Sequence, residues 1–266
     1  MKEKTFVITG ASSGIGEALA LAYAARGENI VLAARSKEEL ERVAKACEKA
    51  GGKAIAVPTD VGDPEACKAL VDIAMDKFGS IDVFVNNAGI SMRAMFRDIT
   101  DLTLFERLMK INYLGSVYCT HYALPHLIES KGLVVAVSSL TGKTGVPSRT
   151  GYAASKHAMQ GFFDSLRIEL METGVEVLVA SPGFVDSGIR TRALGIDGKP
   201  RGGDDSIPEP GTMSLEECTS ILVRAIDHRD REVVMTSKAK IGLWLKLIVP
   251  RIVDEIALKA TRGKGA

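Results

Sequence analysis

Two kinds of apolar segment alternate along the chain. Short runs rich in β-branched residues, at 4–9, 29–34, 53–58, 81–86, 132–138, 174–180 and 231–236, are apolar at nearly every position. Longer stretches at 14–26, 37–50, 64–78, 102–129, 151–172 and 214–227 carry helical spacing instead. A strand with one wet face alternates apolar and polar residues; a strand covered on both faces has no such need. The short runs therefore predict strands buried inside a parallel sheet. Their alternation with helices predicts βαβ units with right-handed crossovers, hence an α/β fold: a doubly wound parallel sheet of about seven strands with helices on both faces.

Two regions break the rhythm. Residues 186–213 are rich in glycine and proline and carry charges of both signs. So long a segment without periodicity predicts a lid or binding loop, the alternative being a disordered insertion. Residues 238–266 form a tail with seven basic residues against Asp254 and Glu255. Its apolar residues Trp244, Leu245, Leu247, Ile248 and Val249 lead, after Pro250, into Ile252, Val253, Ile256 and Ala257 at helical spacing. The division expected is one domain over 1–237, containing the 186–213 loop, followed by a basic amphipathic tail. Four placements are open to the tail: over the substrate cleft, against a partner subunit, against the protein's own body, or on an anionic membrane surface. Cleft or subunit packing is the leading expectation and membrane contact is not favoured.

Composition narrows the classes further. The net charge of +1 gives no general attraction to nucleic acid. Cys47, Cys67, Cys119 and Cys218 lie far apart in sequence with no C-x-x-C pair, so reduced thiols and a cytoplasmic location are expected. The first apolar run, Phe6-Val7-Ile8, is too short for a signal-peptide core. None of the four histidines stands at ligand spacing, so no metal is implied.

Directly after the first strand comes Thr9-Gly10-Ala11-Ser12-Ser13-Gly14-Ile15-Gly16, followed by a helix pattern. Glycines there let the main chain turn tightly and lie close to a pyrophosphate, while the helix N-terminus offers free N–H groups and positive dipole charge. The spacing is G-x-x-x-G-x-G rather than the general G-x-G-x-x-G. The stretch resembles the cofactor motif of the short-chain dehydrogenases/reductases. The resemblance continues through Asp60-Val61, Asn86-Asn87-Ala88-Gly89, Asn112, Ser139, Tyr152-Ala153-Ala154-Ser155-Lys156 and Pro182-Gly183, spanning roughly residues 5–187.

What the resemblance implies is an NADP(H)-dependent oxidoreductase on a Rossmann-type sheet. The glycine turn (Gly10, Ser12, Ser13, Gly14, Ile15, Gly16) would hold the pyrophosphate. At the end of the second strand Ala34 stands where NAD-preferring relatives usually carry Asp, and Arg35 follows, which is the NADP(H) pattern. Ser36 can cap the next helix, and Lys37 can simply be solvated. Asp60 and Val61 would flank adenine. Asn87, Ala88 and Gly89 would line the ribose and nicotinamide side; Asn86 either joins them or only ties neighbouring strands together. Pro182, Gly183, Val185 and Ser187 would lie by the nicotinamide, with serine at 187 where relatives commonly have threonine.

The chemistry implied rests on Asn112, Ser139, Tyr152 and Lys156. Tyr152 and Lys156 are one helical turn apart and share a face. A phenol ordinarily has a pKa of about 10, which a nearby ammonium lowers. By resemblance, Ser139 positions a carbonyl oxygen, hydride comes from NADPH, Tyr152 gives the proton, Lys156 holds the nicotinamide ribose and lowers the phenol pKa, and Asn112 orders a water toward Lys156. Ser138 would end its strand near the cofactor, and Ser155 would pack or meet the nicotinamide through its backbone. The expected reaction interconverts a carbonyl and an alcohol on an apolar, lipid- or steroid-like substrate. The competing readings are a 3-oxoacyl-thioester reductase and a non-catalytic NADP(H)-binding sensor. A homo-oligomer, dimer or tetramer, is expected through Ile111, Leu114, Val117 and Tyr118 with Met159, Phe162, Phe163 and Leu166.

Overall fold

The structure is a computed structural model and describes residues 3–189, 191–201 and 212–262. Seven parallel strands form one sheet in the order 3-2-1-4-5-6-7. They are β1 (Thr5–Thr9), β2 (Asn29–Ala34), β3 (Lys53–Pro58), β4 (Val83–Asn86), β5 (Leu133–Val137), β6 (Glu176–Ser181) and β7 (Glu232–Val234). The order reverses between β1 and β4, whose registers pair Phe6 with Val83 and Ile8 with Val85. At such a switch point the flanking crossovers leave to opposite faces and open a crevice beyond the strand ends.

The helices divide between the faces. On one side lie α1 (Gly14–Ala24), α2 (Lys37–Ala50) and α7 (Leu215–Asp227); on the other, α3 (Pro64–Phe78), α5 (Gly115–Ser130) and α6 (Thr150–Glu169). The strands supply side chains to both by alternation. Phe6, Ile8, Ile30 and Leu32 join Leu19, Tyr23, Leu40 and Leu222 in one core. Val7, Val31, Phe84 and Val134 join Leu70, Cys119, Met159 and Phe163 in the other. This double burial is why the strand sequences are apolar at nearly every position. Local chemistry sets the helix ends: Ser36 caps α2 by accepting from the Glu39 amide, Asp63 caps α3 with Pro64 in the first turn, and Gly51 and Gly79 close α2 and α3 in the left-handed region.

Two expectations need correction, on the long helix and on the subunit contact, and the 186–213 loop is described only in part. The single helix over 102–129 is instead α4 (Thr103–Leu108), a π-helical turn over Met109–Leu114, and α5, which carries Pro125. In the 186–213 segment, residue 190 and residues 202–211 lie outside the described residues. The rest is not structureless: Leu194 bridges to Met92 and Pro200, and Met213 bridges to Val185. Met159, Phe163 and Leu166, expected at a subunit contact, are buried in the chain's own core. Of that set, Phe162, Ile111 and Tyr118 are only partly covered.

The tail forms two helices, α8 (Ser237–Ile248) and α9 (Pro250–Arg262), joined at Val249. Proline is tolerated at the start of α9 because the first helical amide has no partner to lose.

Candidate active site

The crevice at the switch point is a cleft of about 1020 Å³. Its walls include Gly10, Ser12, Ser13, Gly14, Ile15, Arg35, Asp60, Val61, Asn87, Ala88 and Gly89 at one end, and Ser139, Tyr152, Lys156, Pro182, Gly183, Val185 and Ser187 toward the other. Two residues expected in the site, Gly16 and Asn112, lie behind its surface rather than on it.

The glycine turn is shaped by contact. Gly10 and Gly14 have φ of +64° and +59°, a region costly for side-chain-bearing residues. A Cβ on Gly16 would fall 2.4 Å from the Gly10 carbonyl oxygen, and one on Gly14 would fall 2.8 Å from the Ser187 carbonyl oxygen. The turn is then tied to β4. Thr9 Oγ1 donates to the Val85 carbonyl (3.1 Å) and accepts from the amides of Asn87 and Ala88 (both 3.0 Å). Asn87 Nδ2 donates to the carbonyls of Thr9 (2.9 Å) and Gly10 (3.2 Å). With these carbonyls engaged, the α1 amides and the bare glycine surface face the cleft. This is a cradle that Cβ atoms would fill, and it suits a pyrophosphate.

At the adenosine end Arg35 is exposed and, among the described residues, makes no hydrogen bond or ion pair. The acids nearby are already matched: Arg42 binds Glu17 (2.7 Å) and Glu39 (2.8 Å). Lys37 lies within 3.8 Å of Glu41 on an open surface. Asp60 accepts from the Gly62 amide at 2.9 Å. Asn86 takes the structural of its two expected roles: it is buried off the cleft and donates to Thr120 on α5.

At the reacting end, Ser139, Tyr152 and Lys156 are all buried, 8%, 8% and 3% exposed. Ser139 Oγ accepts from the Thr141 amide (3.2 Å) and the Thr141 hydroxyl (2.9 Å), which leaves its own proton to donate. Ser139 also favours the charged form of the Tyr152 phenol. Burial nonetheless pushes the phenol above its ordinary pKa, against the opposing effects of Ser139 and the Arg149 charge. The Arg149 charge opposes this rise, and the net direction is up. Lys156 Nζ donates to the Val137 carbonyl at 2.9 Å and sits 5.9 Å from the Tyr152 ring centre. Burial pushes its pKa down to about 8.

Asn112 is fully buried, and its amide is already engaged. It accepts from the Ile90 amide (2.8 Å) and donates to the Ile90 carbonyl (3.0 Å) and to Ser155 Oγ (2.9 Å). Ser155 donates in turn to the Tyr152 carbonyl. Asn112 therefore braces the segment after β4 against α6. Ser138 Oγ donates to the Lys156 carbonyl at 3.4 Å.

Sequence reasoning missed several residues. Thr9 and Thr141 orient the turn and Ser139, and either was legible only as a small hydroxyl residue beside a motif. Arg149, buried at the start of α6, donates to Ser91 Oγ at 3.0 Å and lies 5.6 Å from the Phe184 ring centre. Arg192 crosses the cleft to Ser13 Oγ at 3.1 Å, and no local pattern announces it. Cys67 and Cys119, far apart in sequence, meet with their sulfurs 3.4 Å apart between α3 and α5. Among the described residues no group of three or more His, Cys, Asp or Glu can hold a metal ion.

The sequence profile of the short chain dehydrogenase family matches residues 4–194, the span that contains the glycine turn, Ser139, Tyr152 and Lys156. The chain belongs to the short chain dehydrogenase family. Within it the chain is similar to an 11-beta-hydroxysteroid dehydrogenase-like protein of Arabidopsis thaliana, 36% identical over 94% of this chain and 79% of the relative. It is also similar to a dehydrogenase/reductase SDR family protein 7-like of Anopheles gambiae, 37% identical over 94% of this chain and 80% of the relative. A solved alcohol dehydrogenase of the archaeon Thermococcus sibiricus, complexed with 5-hydroxy-NADP, matches with a TM-score of 0.75 at 27% identity. That match covers 87% of this chain and 95% of the other. Family and cleft together make the chain an oxidoreductase that binds a nicotinamide dinucleotide, NAD(P)(H).

Proposed function

We propose that this short chain dehydrogenase is an NADP(H)-dependent enzyme interconverting a carbonyl and an alcohol on an apolar, lipid- or steroid-like substrate, with residues 1–237 as one catalytic domain. The observation that carries the reading is the arrangement of one cleft: an unpaired Arg35 at the adenosine end, and Ser139, Tyr152 and Lys156 buried at the other. Arg35 would hold the 2′-phosphate, the glycine turn and Ser13 the pyrophosphate, Asp60 and Val61 the adenine, and Lys156 with Ser187 the nicotinamide side. When bound, the dinucleotide supplies or accepts a hydride.

The rest of the chemistry belongs to the chain. Ser139, held by Thr141, turns its proton to the substrate oxygen and fixes it. Tyr152 gives that oxygen its proton. Burial keeps the phenol protonated, so its proton is in place for carbonyl reduction, and Ser139 and the Arg149 charge favour its release. Lys156, held by the Val137 carbonyl, keeps a positive charge below the phenol. Ile90, Ile111, Ile189 and Leu194 line the substrate side, which suits an apolar ligand. The name of the Arabidopsis relative, 11-beta-hydroxysteroid dehydrogenase-like, points the same way.

The test is a spectrophotometric screen of NADPH oxidation against ketones and aldehydes of graded size, with alcohols and NADP in reverse. Turnover of apolar carbonyls, several-fold faster with NADPH than NADH, is expected. Turnover confined to thioester-linked 3-oxoacyl groups would replace the substrate class. Tight cofactor binding with no turnover of any carbonyl or alcohol would support the sensor reading instead.

A further inference from the structure

We propose that α8 and α9 are a docking surface for an anionic lipid bilayer. The apolar residues of these helices are turned outward. On α8, Ile241, Trp244, Leu245 and Ile248 fall at i, i+3, i+4 and i+7, one face of a helix. Trp244 is 71% exposed, and Leu247 and Ile248 are 78% and 76% exposed. Ile252 and Ile256 extend the surface along α9 and are likewise exposed. No residue of α8 is buried. A patch of this kind on a folded chain marks a surface awaiting a partner.

Two of the four placements open to the tail fail on geometry. Packing on the protein's own body would bury an apolar stripe, and these stripes are in solvent. Covering the cleft would put tail residues on its walls, and no residue of 237–262 lines it. Thr236 caps α8 at its start, and Lys246 Nζ in its last turn donates to the Lys143 carbonyl at 2.8 Å.

Charge decides between the remaining two. Lys238, Lys240, Lys246, Arg251 and Lys259 surround the apolar residues, against Asp254 and Glu255 alone. A second copy docked through the same face would bring two cationic surfaces together. An anionic headgroup layer complements them, and a tryptophan beside lysines suits the boundary between headgroups and acyl chains. Among the described residues no helix is long and apolar enough to cross a membrane, so the fit is to the surface. The attachment stands independently of the reaction proposed above.

Trp244 is the chain's only tryptophan, so its emission reports directly on this surface. The full chain is mixed with vesicles of phosphatidylcholine, with and without phosphatidylglycerol. A blue shift of Trp244 and co-sedimentation are expected with the anionic vesicles and little of either with the neutral ones. Raising the salt should weaken the attachment. Lys238→Gln with Lys240→Gln should lower it about 30-fold, at roughly fivefold per charge. Leu247→Ser with Ile248→Ser, both in solvent, should abolish it while the unfolding midpoint is unchanged. Three outcomes overturn the proposal: no shift with anionic vesicles from a folded chain, equal binding to neutral vesicles, or a blue emission without vesicles that turns red on dilution. The last would assign the face to a second copy of the chain.

Discussion

At the cofactor end of the cleft the main chain does the positioning. The Gly10–Gly16 turn takes its form from two left-handed glycines and is tied down by Thr9 and Asn87 through carbonyls and amides. At the reacting end buried side chains do it. Tyr152, Ser139 and Lys156 stand where Thr141, Arg149, the Val137 carbonyl and the Asn112–Ser155 pair put them. A pyrophosphate is recognised by amide dipoles that any sequence with the right glycines presents. A proton donor must have its pKa and angle set, which takes charged and hydroxyl groups from several elements. The first end is therefore concentrated in one motif, and the second is dispersed along the chain.

The sharpest way to separate the two ends is Tyr152→Phe. Turnover should fall about a hundredfold to ten-thousandfold, the usual worth of a positioned acid. NADPH affinity, measured by titration, should stay within a few-fold of the parent. A large loss of cofactor affinity would mean that the two ends are one unit.

Next in size is the choice of cofactor. A charged hydrogen bond from Arg35 to a 2′-phosphate should favour NADPH over NADH by roughly 10- to 150-fold in dissociation constant. Arg35→Ala should remove the preference and leave NADH binding unchanged. Equal affinities in the parent protein, at one ionic strength, would show that Arg35 points elsewhere.

Thr9→Val tests whether the cofactor end is held as described. It leaves the Ala88 amide without its acceptor, the Asn87 amide keeping the Val85 carbonyl, and should cost about 1–2 kcal/mol of stability in denaturant unfolding. It should also weaken cofactor binding while the pH dependence of turnover is unchanged. A variant as stable as the parent would mean the turn is held by the Asn87 side chain alone.

The smallest effect concerns Lys156. Its ammonium is lost as pH rises through about 8. In the reductive direction kcat/KM should therefore fall above that value, by about fivefold from pH 8 to pH 9, since this ratio reports groups of the free enzyme. Constant kcat/KM up to pH 10 would show that the charge on Lys156 is not needed.

How much was readable in advance follows the same division. Ser139, Tyr152 and Lys156 were named from motif spacing and do meet in one cleft. The glycine turn and Arg35 were legible as well, because strand, turn and helix are contiguous there. Arg149 and Arg192 were not: Arg149 acts on Tyr152 from a helix start and Arg192 reaches the cleft from a loop, and the paths of both depend on packing. Asn112 was named with the right neighbourhood, but its bonds to Ile90 and Ser155 were not foreseen: a helical pattern does not reveal the π-helical turn that carries it. The interface residues Met159, Phe163 and Leu166 were misplaced because apolar content beyond one helix face looks the same whether a sheet or a subunit covers it.

Sequence alone determined what depends on neighbours along the chain. Doubly buried strands need apolar residues at successive positions, a tight phosphate-binding turn needs glycine, and residues four apart on a helix share a face. Those constraints are local, and they were enough for a seven-stranded doubly wound sheet and for most of the cleft walls. Tertiary structure decided what depends on distance in space. Burial, absent from any single residue, raised the Tyr152 pKa and lowered that of Lys156. The same holds for the tail: its amphipathic pattern is local, but only the folded chain shows that, among the described residues, nothing covers Trp244, Leu247 and Ile248.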